Sequence, residues 1–79
     1  MVNHCETMVV HCMDYRIQKF LNDWISQNLK VGNYDRVAIA GGVLDEYDVL
    51  RHVDIAVQLH QIKKVVFINH EDCGAYGTA

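Results

Sequence analysis

Two thiols and an imidazole, Cys12, His70 and Cys73, stand just after two short apolar runs of this 79-residue chain. Met8-Val9-Val10-His11-Cys12 ends in the first thiol. Val65-Val66-Phe67-Ile68 leads into Asn69-His70-Glu71-Asp72-Cys73-Gly74. Thiolate sulfur and imidazole nitrogen are donors that suit zinc, and a Cys2His set leaves a tetrahedral ion one open position. That is the ligand count of a catalytic zinc site rather than a structural one. His-x-x-Cys alone says little, so the reading depends on a fold that brings the three residues together. The alternative is a buried, apolar Cys12 beside an unrelated loop His and Cys. Redox chemistry between Cys12 and Cys73 is a weaker use of the same atoms, since no Cys-x-x-Cys is present.

Both apolar runs are short and β-branched and read as strands. After the first, Ile17, Phe20, Leu21, Trp24, Ile25 and Leu29 recur at steps of three and four. That spacing predicts an amphipathic helix over residues 15–29, ended by Gly32-Asn33, with Phe20 and Trp24 as core residues rather than a stacking platform. Arg36-Val37-Ala38-Ile39-Ala40 reads as a middle strand followed by the turn Gly41-Gly42. A second helix is expected to start near Asp45 or Glu46, with Val49, Leu50, Val53, Val57 and His60 on one face. Val65 to Ile68 lacks polar alternation, which predicts burial on both faces.

Strand, helix, strand, helix, strand is the pattern of a parallel α/β sheet with right-handed crossovers. Sequential strand order would put both helices on one face. Order 2-1-3 would place the first strand at the centre of a three-layer αβα unit. We expect the second arrangement, because it makes the carboxyl ends of the first and third strands neighbours. That is the switch point at which α/β sheets bind ligands, and there Cys12 meets His70 and Cys73.

Composition narrows the function classes. Hydrophobic residues make up 51% and charged residues 22%, an ordinary globular mixture. The net charge of −3 and scattered Lys and Arg disfavour nucleic acid and anionic membranes as partners. No apolar run approaches a bilayer span, and Met1-Val2-Asn3-His4-Cys5-Glu6 is not the start of a secretory signal. Three cysteines make a poor disulfide framework, so the expected compartment is a reducing cytoplasm. With no proline, linker or repeat, residues 1–79 read as a single domain.

Cys12-Met13-Asp14-Tyr15-Arg16 is Cys-x-Asp-x-Arg directly after a strand, and His70-Glu71-Asp72-Cys73-Gly74 is His-x-x-Cys-Gly after another. With Ala40-Gly41-Gly42 between them, this order and spacing resembles the β-class carbonic anhydrases over nearly the whole chain. The resemblance implies Zn²⁺ on Cys12, His70 and Cys73, and reversible hydration of carbon dioxide to bicarbonate. It implies catalytic roles for Asp14 and Arg16. Asp14 would accept a hydrogen bond from the nucleophilic water. Arg16 would hold that carboxylate bidentately, away from the metal. Asp14 is also well placed as a helix N-cap.

The chain departs from the family pattern in two ways. Where the family has Arg-Asn-Ala-Gly, this sequence has Ala38-Ile39-Ala40-Gly41, and the glutamine expected before Cys-x-Asp-x-Arg has no counterpart. A non-catalytic zinc-binding module, or a relative acting on another small electrophile, is therefore the alternative reading. The family fold is also longer, so this unit is expected to be its N-terminal part, with an apolar third strand covered by a second copy in a homo-oligomer.

The remaining candidates are read as structural. Gly41-Gly42 lacks the spacing of a phosphate loop and is expected to allow close backbone packing. His11 should face away from Cys12. His52 and His60 are taken as helix-surface and helix-end residues, and Cys5 as a free thiol that would add a fourth sulfur only if the N-terminus folds back.

Overall fold

Six consecutive residues, Thr7–Cys12, form strand β1, and all six are buried. A strand covered on both faces has no need of polar alternation, and its Val-rich middle meets that requirement. In the computed structural model, which describes residues 4–76, β1 is flanked by two parallel neighbours. These are β2 (Tyr34–Ile39) and β3 (Lys64–Ile68), giving the sheet order 2-1-3. Val10 lies opposite Val37 on one side and Phe67 on the other, and Cys12 lies opposite Ile39. With right-handed crossovers, this order puts helices α1 (Gln18–Asn28) and α2 (Glu46–His60) on opposite faces, an αβα arrangement.

Alternation along β1 divides its side chains between the two layers. Met8 and Val10 pack with Val49, Ala56 and Ile62 on the α2 side. On the other side, His11 shares a small cavity with Leu21, which with Ile25 forms the buried part of α1. His11 faces away from Cys12 as expected, and its Nε2 accepts a 2.9 Å hydrogen bond from Arg36 Nε.

The helices differ from their expected form in instructive ways. The first begins as a separate 3-10 turn, Tyr15–Ile17, because the Asp14 side chain caps it by accepting from Arg16 N–H at 2.9 Å. α1 ends at Asn28, where the side-chain amide bonds back to the Trp24 carbonyl and Leu29 turns extended. Gly32, at φ +82°, serves the turn into β2 rather than the helix stop. Phe20 is 59% exposed and so is not a core residue, and Trp24 is half-buried. On α2, Leu50 and Val57 are exposed and Ala56 takes the buried place instead. Asp45 caps α2 by accepting from Asp48 N–H at 3.1 Å. β3 is not buried on both faces: Phe67 is 50% exposed, because the strand is a sheet edge and α2 leaves an open cavity between this side chain and Val49 and Leu50.

Candidate metal centre

The 2-1-3 order brings the carboxyl ends of β1 and β3 side by side. Cys12 is the last residue of β1, and His70 and Cys73 lie in the loop after β3. Their ligand atoms fall within 4.8 Å of one another, with the two sulfurs 3.7 Å apart. The three residues singled out in the sequence are therefore neighbours in space.

The imidazole is oriented by its own loop. His70 Nδ1 lies 2.8 Å from the Glu71 carbonyl oxygen, which only accepts, so in the neutral ring Nδ1 carries the proton and Nε2 the lone pair. Nε2 is buried and has no hydrogen-bond partner. Leaving a buried polar atom unsatisfied costs about 1–3 kcal/mol. Two thiols and an unpartnered imidazole nitrogen fit a borderline-soft divalent cation.

Electrostatics favour the ligand form of Cys12. Burial, the largest single influence, pushes its thiol up. His70, the backbone N–H groups of Asp14 and Gly41, and Cys73 together outweigh it and bring the pKa down to about 7. Gly41 N–H points at the sulfur from 3.4 Å. His70 shifts upward in return, chiefly because it faces Cys12. A proton on the imidazole supplies part of the positive charge that this pocket favours.

Asp14 and Arg16 form a tight pair beside these donors. Arg16 Nε donates to both carboxylate oxygens, at 3.1 and 3.0 Å, and Nη2 donates to Oδ2 at 2.6 Å. The guanidinium side-chain bonds first, then the Arg16 backbone N–H, hold the Asp14 carboxyl down at about 2. Asp14 Oδ2 stands 3.9 Å from His70 Nε2, beyond hydrogen-bonding range. The capping role and the Arg pairing expected of Asp14 thus coexist on one carboxylate.

Sequence reasoning missed two residues. Asp72, at φ +54°, accepts from Arg16 Nη2 through its carbonyl at 3.0 Å and from Nη1 through its carboxylate at 3.4 Å. Arg16 therefore ties the end of β1 to the loop that carries His70 and Cys73. The available signal was an Asp, tolerant of the left-handed region, just before a candidate ligand. Tyr76 Oη donates to the Gly41 carbonyl at 2.8 Å, a bond to backbone that no residue pattern announces.

The glycine turn packs as closely as expected. A Cβ on Gly42 would come within 2.7 Å of Asn69 Oδ1 and 3.4 Å of Cys12 N. Beside the donors opens a cleft of about 580 Å³, lined by Met13, Ala40 and Ala75 as well as Cys12, Asp14 and Cys73. Ala40 contributes apolar wall here, and Ile39 packs against the core instead. Among the described residues, no helix is long and apolar enough to cross a membrane.

An uncharacterized protein of Rickettsia conorii is 30% identical over 84 residues, covering 95% of this chain and 45% of the relative. An uncharacterized protein of Rickettsia bellii is 26% identical over 84 residues, covering 95% of this chain and 51% of its own length. The chain thus spans about half the length of the curated relatives it matches. A family model described as "Putative carbonic anhydrase" matches residues 2–79, and the chain belongs to that family.

Proposed function

We propose that the carboxyl end of the sheet binds Zn²⁺ through Cys12, His70 and Cys73 and reversibly hydrates carbon dioxide to bicarbonate. The observation that carries this reading is the buried, unpartnered His70 Nε2 in a cluster with two thiols. When bound, zinc supplies the Lewis acidity that makes a nucleophile of water near neutral pH.

The chain's own residues supply the rest. Asp14, kept ionised by Arg16, accepts a hydrogen bond from the nucleophile and aims it into the cleft. Arg16 keeps that carboxylate from swinging inward and, through Asp72, fixes the loop bearing the other two donors. Met13, Ala40 and Ala75 offer an apolar wall, which suits a small, uncharged substrate such as carbon dioxide. Residues 1–79 act as one domain, the N-terminal part of the longer family fold. The exposed Phe67 of β3, near the also exposed Leu44 and Leu50, is covered by a second copy in a homo-oligomer.

The test is Cys73→Ser. Zinc per chain should fall by one equivalent, and hydration followed by stopped flow should drop to the uncatalysed rate. Unchanged zinc content would overturn the ligand set. Zinc held as described, with no hydration by the parent chain, would assign a metal-binding module without catalysis.

A further inference from the structure

We infer that the opposite, amino end of the sheet carries a second metal site, in which Cys5, Asp35 and His60 hold a divalent cation of zinc type. Three separate segments meet there. Cys5 leads into β1, Asp35 is the second residue of β2, and His60 is the last residue of α2. Their ligand atoms also lie within 4.8 Å of one another. The site stands apart from Cys12, His70 and Cys73, shares no residue with them, and does not depend on the proposed hydration activity.

The convergence is built by the backbone. Cys5 N–H donates to the His60 carbonyl at 3.0 Å, which places the thiol-bearing residue against the end of α2. His60 Nδ1 lies 2.7 Å from Asp35 Oδ2. Taken alone, that bond is a clamp between α2 and β2. It does not involve Cys5, which packs against the edge of the core and whose sulfur makes one long 3.8 Å contact to the Thr7 carbonyl. A cation uses all three donors at once.

The chemistry of the set selects the ion. One thiolate, one imidazole and one carboxylate are all zinc ligands, at about 2.3, 2.0–2.1 and 2.0–2.2 Å from the metal. A tetrahedral ion would set the donors about 3.3–3.6 Å apart, reachable from the present cluster by side-chain rotation. Calcium and magnesium prefer oxygen and would leave the sulfur unused. Among the described residues, no Lys or Arg forms an ion pair with Asp35. Its neighbour Arg36 donates to His11 instead. The carboxylate is therefore open to a metal. The side chains of His60 and Asp35 are 41% and 27% exposed, so an ion can enter and a water can take the fourth position. Burial, and then the Asp35 charge, push the Cys5 thiol up, so the free site holds a proton that metal uptake must release to solvent.

The experiment uses the 79-residue chain with Cys12→Ser/Cys73→Ser, which removes both thiols at the other end. Titrated with Co²⁺ alone, it should bind one equivalent and show a near-ultraviolet thiolate-to-cobalt band. Adding Cys5→Ser should abolish the band, and Asp35→Asn should weaken binding about 10-fold or more. Absence of the band in the folded double variant would overturn the site. If that variant does not fold, Cys5→Ser in the parent chain decides: one zinc equivalent lost supports the site, and none lost overturns it. Failure of the carboxyl-end reading has a different signature, since it concerns the equivalent that depends on Cys73.

Discussion

At the carboxyl end of the sheet, a carboxylate beside two sulfurs and an imidazole is taken up by a guanidinium, and the imidazole Nε2 is left bare. At the amino end, sulfur, imidazole and carboxylate meet with no guanidinium between them, and the carboxylate bonds the imidazole directly at 2.7 Å. The donors are similar; their availability is not. Asp14 is held off by Arg16, whereas Asp35 has no guanidinium partner and bonds a fellow donor of its own set. The comparison assigns Arg16 its purpose, which is to keep one coordination position open where chemistry is proposed. The amino end keeps no such guard and is suited to hold a cation rather than to work with it.

Removing the guard is the strongest way to break this contrast. Arg16→Ala should make the carboxyl end resemble the amino end, with Asp14 free to move toward His70 Nε2 from its present 3.9 Å. Hydration should fall about 10–100-fold while metal stays bound, the usual cost of losing a residue that orients a ligand set. The cobalt spectrum should change as a carboxylate enters. Arg16→Lys keeps the charge but not the fork and should recover only part of the rate. Acid stability gives an independent readout. The folded Asp14 pKa is lowered from 3.8 to about 2, so its pairing favours the fold above pH ~4 and is lost as pH falls through ~2. In Arg16→Ala that component should vanish from the acid limb of the stability profile. A variant as active as its parent would leave Arg16 without the assigned purpose.

The residues just tested show how far a sequence carries. The sheet order and the meeting of Cys12, His70 and Cys73 were legible, because β-branched runs, helical spacing and crossover handedness leave few topologies. The pairing of Asp14 with Arg16 was legible only through resemblance. Asp72 and Tyr76 were not, since each acts through a backbone carbonyl or a left-handed turn that leaves no periodic trace. Phe20 and Leu50 were misplaced for a related reason. An apolar stripe says which face a helix offers, not how wide a neighbouring layer is, and a three-stranded sheet covers only part of each stripe. The amino-end cluster escaped notice because its residues are 30 and 25 positions apart in sequence and belong to no local motif.

A second, smaller contrast concerns glycine. Gly41 at the carboxyl end and Gly32 before β2 share nearly the same backbone, φ +78° and +82°. Their surroundings differ. A Cβ on Gly41 would meet Leu44 Cβ at 2.8 Å and Ala75 Cβ at 3.2 Å, while one on Gly32 would meet nothing within 4 Å. Gly32→Ala should therefore cost about 1–2 kcal/mol, the left-handed penalty alone. Gly41→Ala should cost about 2–4 kcal/mol, because the turn must also shift. Gly41→Ala should weaken the Cys12 environment too, since Gly41 N–H points at that sulfur. Urea denaturation of both variants measures the difference. Equal losses would mean that the carboxyl-end turn is no more tightly packed than a surface turn.

The smallest expected effect lies where the two ends each hold a non-glycine residue at positive φ. Asp72 at the carboxyl end and Gln61 at the amino end both sit at +54°. Asp tolerates the left-handed region better than Gln, and Asp72 earns its place through two bonds to Arg16. Gln61 has an exposed side chain, and its backbone N–H closes α2 by donating to the Val57 carbonyl at 3.0 Å. Glycine would keep that bond and remove the Cβ strain of about 1–2 kcal/mol. Against this stands the greater freedom of glycine in the unfolded chain, about 0.4–1 kcal/mol. Gln61→Gly should therefore stabilise the domain by about 0.5–1 kcal/mol, a rise of roughly 2–8 °C in thermal midpoint for a chain this short. Asp72→Gly should gain less, because the strain it relieves comes with loss of the carboxylate contact to Arg16 Nη1, although the carbonyl bond to Nη2 stays. Metal affinity at Cys5, Asp35 and His60 should be unchanged in Gln61→Gly, since the His60 carbonyl still receives Cys5 N–H. A loss of stability would show that the left-handed cap is not the source of strain at this end. A loss of cobalt binding with stability intact would show that the Gln61 cap sets the position of His60.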